Sequence, residues 1–549
     1  MESNPQNQGP QTLLVAVNAR YSHTNLAVRY LKNALEGAGI PAEFVEYTIN
    51  QPVGEILADL CRSGARRFLF SCYIWNREYV CRLGEQLRLI DPDYVLLVGG
   101  PEVSFDPEEQ LTALPWADGI LAGEGEVLVP QVLAAQWRPQ GVFQGTGYVD
   151  LDTLPFPYEP LDQLPHRVLY YESSRGCPFG CAYCLSSADR VVRTRSLDLV
   201  FQDLQRFLDA RVMQVKVVDR TFNLDGGRAL AIWDYLAAHD NGVTSFQMEL
   251  GGDLTRPEAV ELLRRARPGL FQLEIGVQST CPAALEAACR STDLDRLFAN
   301  VRAVGEGGNV HQHLDLIAGL PGEGFCRFGQ SFDQVVALRP QQLQLGFLKL
   351  LRGSALYARR ERYGLVHSPR PPYEVLRTPW ISYGELTRLK AVERATELYY
   401  NSGRFTHTLE ALLELAPSPF EVLLELGESL PQGRVDQYRY YDLLYAFCLG
   451  KGGDPERFRW LLKWDLCLHE RPRKLPACLA GTLPPPDVRR WLAAQPLPAG
   501  WEGEWFARRV TEPGCPPGPE AVAFCRERRD LARHLVWRRL EGMPQPEEP

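Results

Sequence analysis

The chain has 549 residues, 45% of them hydrophobic and 23% charged, a mix that excludes wholesale disorder and a fibrous repeat. Its 59 basic and 68 acidic side chains leave a net charge of −9, which argues against a general nucleic-acid coat. The 14 cysteines are too dilute for a disulfide-stapled mini-protein, and no run approaches the roughly 18 apolar residues of a membrane span.

Residues 12–136 alternate short apolar runs with helical spacings. Strands are predicted at 12–17, 43–47, 67–73, 94–98 and 119–122, with a helix over 25–37. This rhythm predicts a parallel, doubly wound sheet whose ligands sit beyond the carboxyl ends of the strands. The candidate binding loops are then 18–25, 71–76, 99–104 and 123–126. Residues 148–166 hold four prolines and read as an extended linker. From 167 the rhythm restarts, with strands predicted at 168–172, 215–219, 245–250, 271–277, 311–318 and 342–347. Such strand and helix pairs predict a partial or full β/α barrel, with chemistry at the carboxyl ends of its strands. Residues 380–480 carry helical spacings, a last helix is predicted at about 520–539, and the tail 544–549 reads as disordered. The expected division is a sheet domain over 1–147, a linker over 148–166, a barrel over 167–350 and a mostly helical region over 351–549. The polar start, MESNPQNQGPQ, lacks the apolar core of a secretory signal, so a cytoplasmic protein with reduced thiols is expected. There, closely spaced cysteines point to metal or catalysis.

Cys177, Cys181 and Cys184 form CxxxCxxC on a Gly- and Pro-containing loop after the first barrel strand. Zinc would require a fourth ligand. Three thiolates with one position left open suit a cubane iron–sulfur cluster whose fourth iron is free for a substrate.

CxxxCxxC with an aromatic residue, Tyr183, before its third cysteine resembles the signature of the radical S-adenosylmethionine superfamily. EIGVQS over 274–279 and DLIAGLPGE over 315–323 resemble segments of its coproporphyrinogen-oxidase-like branch. The N-terminal sheet resembles a cobalamin-binding domain, with Ser71, Gly99 and Gly100 where such domains carry their serine and glycine loop motifs. Residues 350–400 resemble the tail of an uncharacterised group of cobalamin-type radical enzymes. The resemblance implies that Cys177, Cys181 and Cys184 ligate a 4Fe-4S cluster whose unique iron binds S-adenosylmethionine. It places Tyr183 along the adenine, and Asp219, Glu249, Gln278, Arg290 and Asp315 around the rest of that ligand. A zwitterionic sulfonium ligand suits such carboxylates and an arginine. Two departures stand out: residues 217–222 lack the superfamily's GGE, and the loop 18–25 has His23 but no DxHxxG.

The implied function is a radical enzyme with cobalamin that generates a 5′-deoxyadenosyl radical for methyl transfer to an unactivated carbon. The alternatives are a radical rearrangement or oxidation without methyl transfer, and a non-catalytic corrinoid or redox sensor. The implied partner is a low-potential electron donor such as flavodoxin or ferredoxin. Tyr73, Trp75 and Asn76 are read as corrin contacts or core residues. His311 and His313 share one strand face and are read as structural or substrate-side residues.

Overall fold

The computed structural model describes residues 11–161, 164, 166–433, 435–470, 474–506, 510, 519–529 and 534–543. Strands β1 (Thr12–Asn18), β2 (Glu43–Thr48), β3 (Arg67–Ser71), β4 (Val95–Gly99), β5 (Gly119–Ala122) and β6 (Gly141–Gln144) form one parallel sheet in the order β2-β1-β3-β4-β5-β6. Leu13, Val15 and Val17 of β1 enter one core, while Leu14 and Ala16 enter another. Helices therefore cover both faces, which is why β1 reads as a continuous apolar run. Asn25 caps the helix Leu26–Gly37 by accepting the Val28 N–H at 3.2 Å. The expected strands are present, and β6 is an addition. At four residues it is too short to show a period, but it pairs with β5 from Gly119↔Gly141 onward.

The expected extended linker contains a 3-10 turn at Leu151–Thr153 and is seated against both sheets around Tyr158. Tyr158 is fully buried. Its hydroxyl donates to the Tyr170 carbonyl (2.9 Å), accepts the Tyr170 N–H (2.9 Å) and lies 3.1 Å from Thr24 Oγ1. The segment thus stitches the first sheet to the second.

That second sheet contains β7 (Val168–Tyr171), then a short antiparallel ribbon of β8 (Ser174–Arg175) and β9 (Arg193–Thr194) apart from it. It continues with β10 (Gln214–Val217), β11 (Ser245–Leu250), β12 (Phe271–Gln278), β13 (His311–Ala318) and β14 (Gln342–Phe347). The order β14-β13-β12-β11-β10-β7 is parallel throughout, a six-stranded partial barrel. Fully and partly buried residues alternate without a break along β11, β12 and β13. One face packs under helices. The other lines the lumen with Gln247, Glu249, Gln272, Glu274, His313 and Asp315.

After a small hairpin of β15 (Val366–His367) and β16 (Val375–Arg377), the chain is mostly helical from Tyr383 to His469. The helix expected at 520–539 is not formed. Strands β17 (Trp501–Phe506), β18 (Glu520–Arg529) and β19 (Leu535–Leu540) make an antiparallel sheet there. Residues 521–525 are all buried, with Val522 and Phe524 packed in a cluster with Trp460 and Trp464. A strand buries both faces of such a run, and its ladder satisfies the backbone of β17. The tail 544–549 lies outside the described residues.

Candidate functional site

The cysteine loop is rooted at the carboxyl end of β7. Asp219, just beyond β10, accepts from Ser173 N (2.7 Å), Ser173 Oγ (2.6 Å) and Ser174 Oγ (2.7 Å). It is buried, and burial raises its carboxyl above the usual range against those hydrogen bonds. Both oxygens are used within the protein. The structure therefore places Asp219 as the anchor of the loop, not facing the open end of the barrel.

Cys177 is buried, Cys181 and Cys184 are half-buried, and all three are free thiols. Backbone bonds fix the loop between them. Cys177 N donates to Asp189 O (2.9 Å) and Ala182 N to Ala288 O (2.7 Å), while Leu356 N donates to Ala182 O (2.7 Å). Gly176 has φ +93°, and a Cβ there would lie 2.2 Å from Val191 O, so the position requires glycine.

Arg290 reaches over the middle of the loop. Its guanidinium lies 3.7 Å from Cys181 Sγ and 3.3 Å from the Tyr183 hydroxyl, and it donates to Gly276 O. Arg290 Nε is buried with no partner among the described residues. Gln278 follows an irregularity in the β12–β13 register and has φ +70°, a strained value for a residue other than glycine. A Cβ at Gly276 would sit 2.2 Å from the Gln278 amide nitrogen and 3.5 Å from an Arg290 nitrogen. The structure thus brings Cys181, Tyr183, Gly276, Gln278 and Arg290 together. Gly276→Ala is expected to displace the flexible Gln278 amide, leaving thermal stability nearly unchanged. S-adenosylmethionine affinity should fall about tenfold, the equivalent of ~1.4 kcal/mol, by equilibrium dialysis.

Glu249 lies on the lumen face of β11, and its carboxylate takes no hydrogen bond among the described residues. Burial raises its pKa, opposed by the charge of Arg220. Arg220 is exposed and forms no ion pair among the described residues. Its neighbour Thr221 has Oγ1 3.8 Å from Cys177 Sγ. Sequence reasoning missed Arg220, whose one available signal was its place directly after Asp219 at a strand end.

Beside Glu249 in the strand register, Glu274 accepts from Lys216 Nζ and from Gln247 Nε2, both at 2.9 Å. His313 Nε2 lies 3.1 Å from Asp315 Oδ1. The ligand atoms of Glu274, His313 and Asp315 fall within 4.8 Å of one another. Lys216 already supplies a cation to this layer, so charge balance needs no metal. Burial lowers the His313 pKa, but the close carboxylate of Asp315 and the charge of Glu274 outweigh it, and the net direction is up. A raised folded-state value means stabilisation that is complete below the ordinary pKa of 6.5 and is lost as pH rises through the raised one. Thermal scans across that window should show a fall in melting temperature that is reduced in His313→Gln.

The loops at the carboxyl end of the first sheet face this region. Ser71 Oγ, at the end of β3, is buried with no partner among the described residues. A Cβ at Gly99 would meet Leu121 O at 3.2 Å, and one at Gly100 (φ +110°) would meet Cys72 O at 2.6 Å. Tyr73 and Trp75 stack at 4.4 Å and 9°, and Trp75 remains 46% exposed. Burial pushes the Tyr73 hydroxyl up to about 12, with the charges of Glu126 and Arg220 also felt there. Asn76 is fully buried and holds the loop by accepting Tyr73 N (2.7 Å) and donating to Val17 O (2.9 Å) and Ser71 O (3.0 Å). His23 hydrogen-bonds the Tyr170 hydroxyl of β7 and is a contact between the two sheets.

The loop after β5 also has a different use from the expected ligand contact. Arg175 of β8 pairs with Glu126 (2.9 Å) and Glu124 (3.4 Å), and Arg193 of β9 pairs with Glu124 (2.6 Å). These ion pairs clamp the first sheet to both flanks of the cysteine loop.

Residues 12–133 match the model of the B12 binding domain, 171–335 that of the radical SAM superfamily, and 361–489 a protein of unknown function, DUF4080. The cobalamin-dependent radical SAM methyltransferase TokK of Streptomyces tokunonensis is 25% identical over 353 residues, 55% of this chain and 50% of its own. The 2-(S-pantetheinyl)-carbapenam-3-carboxylate methyltransferase of Streptantibioticus cattleyicolor is 23% identical over 288 residues, 46% of this chain and 42% of its own. The matches to these two curated relatives therefore span half or less of their length. Among solved structures, the cobalamin-dependent S-adenosylmethionine radical enzyme OxsB superposes with TM-score 0.56 at 13% identity, over 83% of each chain. The radical S-adenosylmethionine methyltransferase TsrM from Kitasatospora setae gives 0.52 at 15%, over 65% of this chain and 77% of that one. These structural likenesses show the fold. The chain joins a B12-binding domain to a radical S-adenosylmethionine domain.

Proposed function

We propose that the chain is a cobalamin-dependent radical S-adenosylmethionine methyltransferase acting on an unactivated carbon. The observation that carries this reading is the clamp of Glu124 and Glu126 on Arg175 and Arg193, which turns the carboxyl ends of both parallel sheets toward one space. Three free thiols on one loop fit a 4Fe-4S cluster, and the unpartnered Ser71 hydroxyl beside the close backbone at Gly99 and Gly100 fits the tail of cobalamin. When bound, the cluster supplies the electron that cleaves S-adenosylmethionine, and cobalamin supplies a methyl carrier.

The chain's own residues bind and orient. Cys177, Cys181 and Cys184 hold the cluster, and Arg290 sets a positive charge against Cys181. Tyr183 and Gln278 border the adenine side. Glu249 offers its carboxylate to ribose hydroxyls and Arg220 its guanidinium to the ligand carboxylate, neither side chain being paired among the described residues. Asp315, beside His313, lies on the same lumen face two residues nearer the carboxyl end of its strand. His23 hydrogen-bonds Tyr170 through Nδ1, and no role toward cobalt is assigned to it.

The reading is tested by anaerobic purification and reconstitution with iron, sulfide and cobalamin. Cobalamin should stay with the protein on gel filtration, and Ser71→Leu should release it while the cluster absorbance remains. A wild-type chain that keeps the cluster but never retains cobalamin would contradict the proposal.

A further inference from the structure

We infer that the outer face of the cysteine loop is the docking surface for a small, acidic one-electron carrier protein, an inference that rests on the cluster reading above. The chain is acidic overall, with a net charge of −9, yet this face is basic. Arg190 is exposed and forms no ion pair among the described residues. Its guanidinium lies against the cysteine loop, since a Cβ at Gly180 would sit 2.9 Å from Nη2. Val191, 51% exposed, has its backbone against Gly176.

The other border of the face is the short helix Ala355–Ala358, fastened to the loop by Leu356 N on Ala182 O. The turn after it carries Arg359 and Arg362, both exposed and without ion pairs among the described residues. Arg359 Nη1 lies 3.6 Å from the sulfur of Cys289, whose neighbour Ala288 accepts the Ala182 N–H. Arg360 lies over the Tyr357 ring at 4.4 Å, and its contact with Glu361 is loose, at 3.9 Å. Glu286 and Glu361 are exposed acids near Cys289 and Arg360 in the chain, and Asp189, next to Arg190, is paired with Arg193.

The opposite flank is unlike this one. There the charges of Arg175 and Arg193 are cancelled by Glu124, Glu126, Glu172 and Asp189, and the first sheet covers the loop. Uncompensated positive charge is therefore left on the side not covered by that sheet. Glycines at 176 and 180 place no side chain between this surface and the adjacent thiols. Such a patch steers an acidic partner into an oriented encounter. The redox step moves one electron and makes or breaks no bond. An anionic flavin hydroquinone becomes the neutral semiquinone, and the cluster passes from its 2+ to its 1+ state.

The test uses the reconstituted full chain and a purified flavodoxin at low ionic strength. Arg190→Glu combined with Arg359→Glu should weaken binding of oxidised flavodoxin about tenfold or more. It should slow bleaching of the cluster by reduced flavodoxin to a similar extent, while the rate with dithionite stays unchanged. Added salt should erode the wild-type advantage. The doubly Gln variant should fall between the two. Wild-type affinity and rate with flavodoxin in the double Glu variant would overturn the docking surface. Equal slowing with flavodoxin and dithionite would also overturn it, by tracing the effect to a damaged loop. Failure to assemble any cluster would instead overturn the reading on which the inference rests.

Discussion

Cys181→Ala is expected to give a folded protein that assembles no iron–sulfur cluster. A cubane with one open iron requires three thiolates, and this substitution leaves two. The fold should survive because the loop is held by backbone bonds that do not use the Cys181 side chain, such as Ala182 N to Ala288 O and Leu356 N to Ala182 O. Arg290 would lose its sulfur contact but keep Gly276 O and the Tyr183 hydroxyl. Visible absorbance and bound iron after anaerobic reconstitution should therefore vanish, and S-adenosylmethionine cleavage should drop to background. Cys289→Ala is the matched control. Cys289 is an exposed thiol near the same loop, and its loss should leave the cluster intact. An unchanged spectrum in Cys181→Ala would contradict the assignment of the metal ligands.

Asp219→Ala is expected to destabilise the barrel by about 3 kcal/mol or more, since each buried group left without its partner costs about 1–3 kcal/mol. It strands the Ser173 N–H and the hydroxyls of Ser173 and Ser174, all of which now converge on one buried carboxylate. The hydroxyls can turn to other acceptors, but the N–H cannot. For a domain of this size the thermal transition should fall by roughly 5–10 °C. Asp219→Asn keeps one acceptor oxygen and should lose less than half as much. Because these serines root the cysteine loop, iron retention should fall together with stability. Scanning calorimetry paired with iron analysis checks both effects, and an unshifted transition in Asp219→Ala would remove the anchoring role.

What was legible in the sequence depended on how local its cause was. The six barrel strands were readable because alternation along β11, β12 and β13 is a local consequence of one polar and one covered face. The cysteine loop was readable because its ligands lie within eight residues. Two kinds of feature were not. Strand β6 and the β17–β19 sheet depend on partners elsewhere, and an apolar run such as 521–525 fits a helix until Trp501–Phe506 is seen beside it. Roles set across the chain were equally hidden. Asp219 stood at a ligand-binding position by resemblance, but Ser173 and Ser174, more than 40 residues away, decide where its carboxylate is spent. Glu124 and Glu126 stood in a loop expected to meet a ligand, yet Arg175 and Arg193 claim them. Arg220 could be noticed only once Glu249, Tyr73 and the cluster loop were seen around it.

The most direct measurement incubates the reconstituted, cobalamin-loaded chain with methyl-deuterated S-adenosylmethionine and a low-potential reductant, without oxygen. Mass spectrometry then follows 5′-deoxyadenosine and the deuterated methyl group. The expected result is 5′-deoxyadenosine together with label on cobalamin, the former abolished in Cys181→Ala. The contradicting result is neither product from a chain that demonstrably holds its cluster, S-adenosylmethionine and cobalamin.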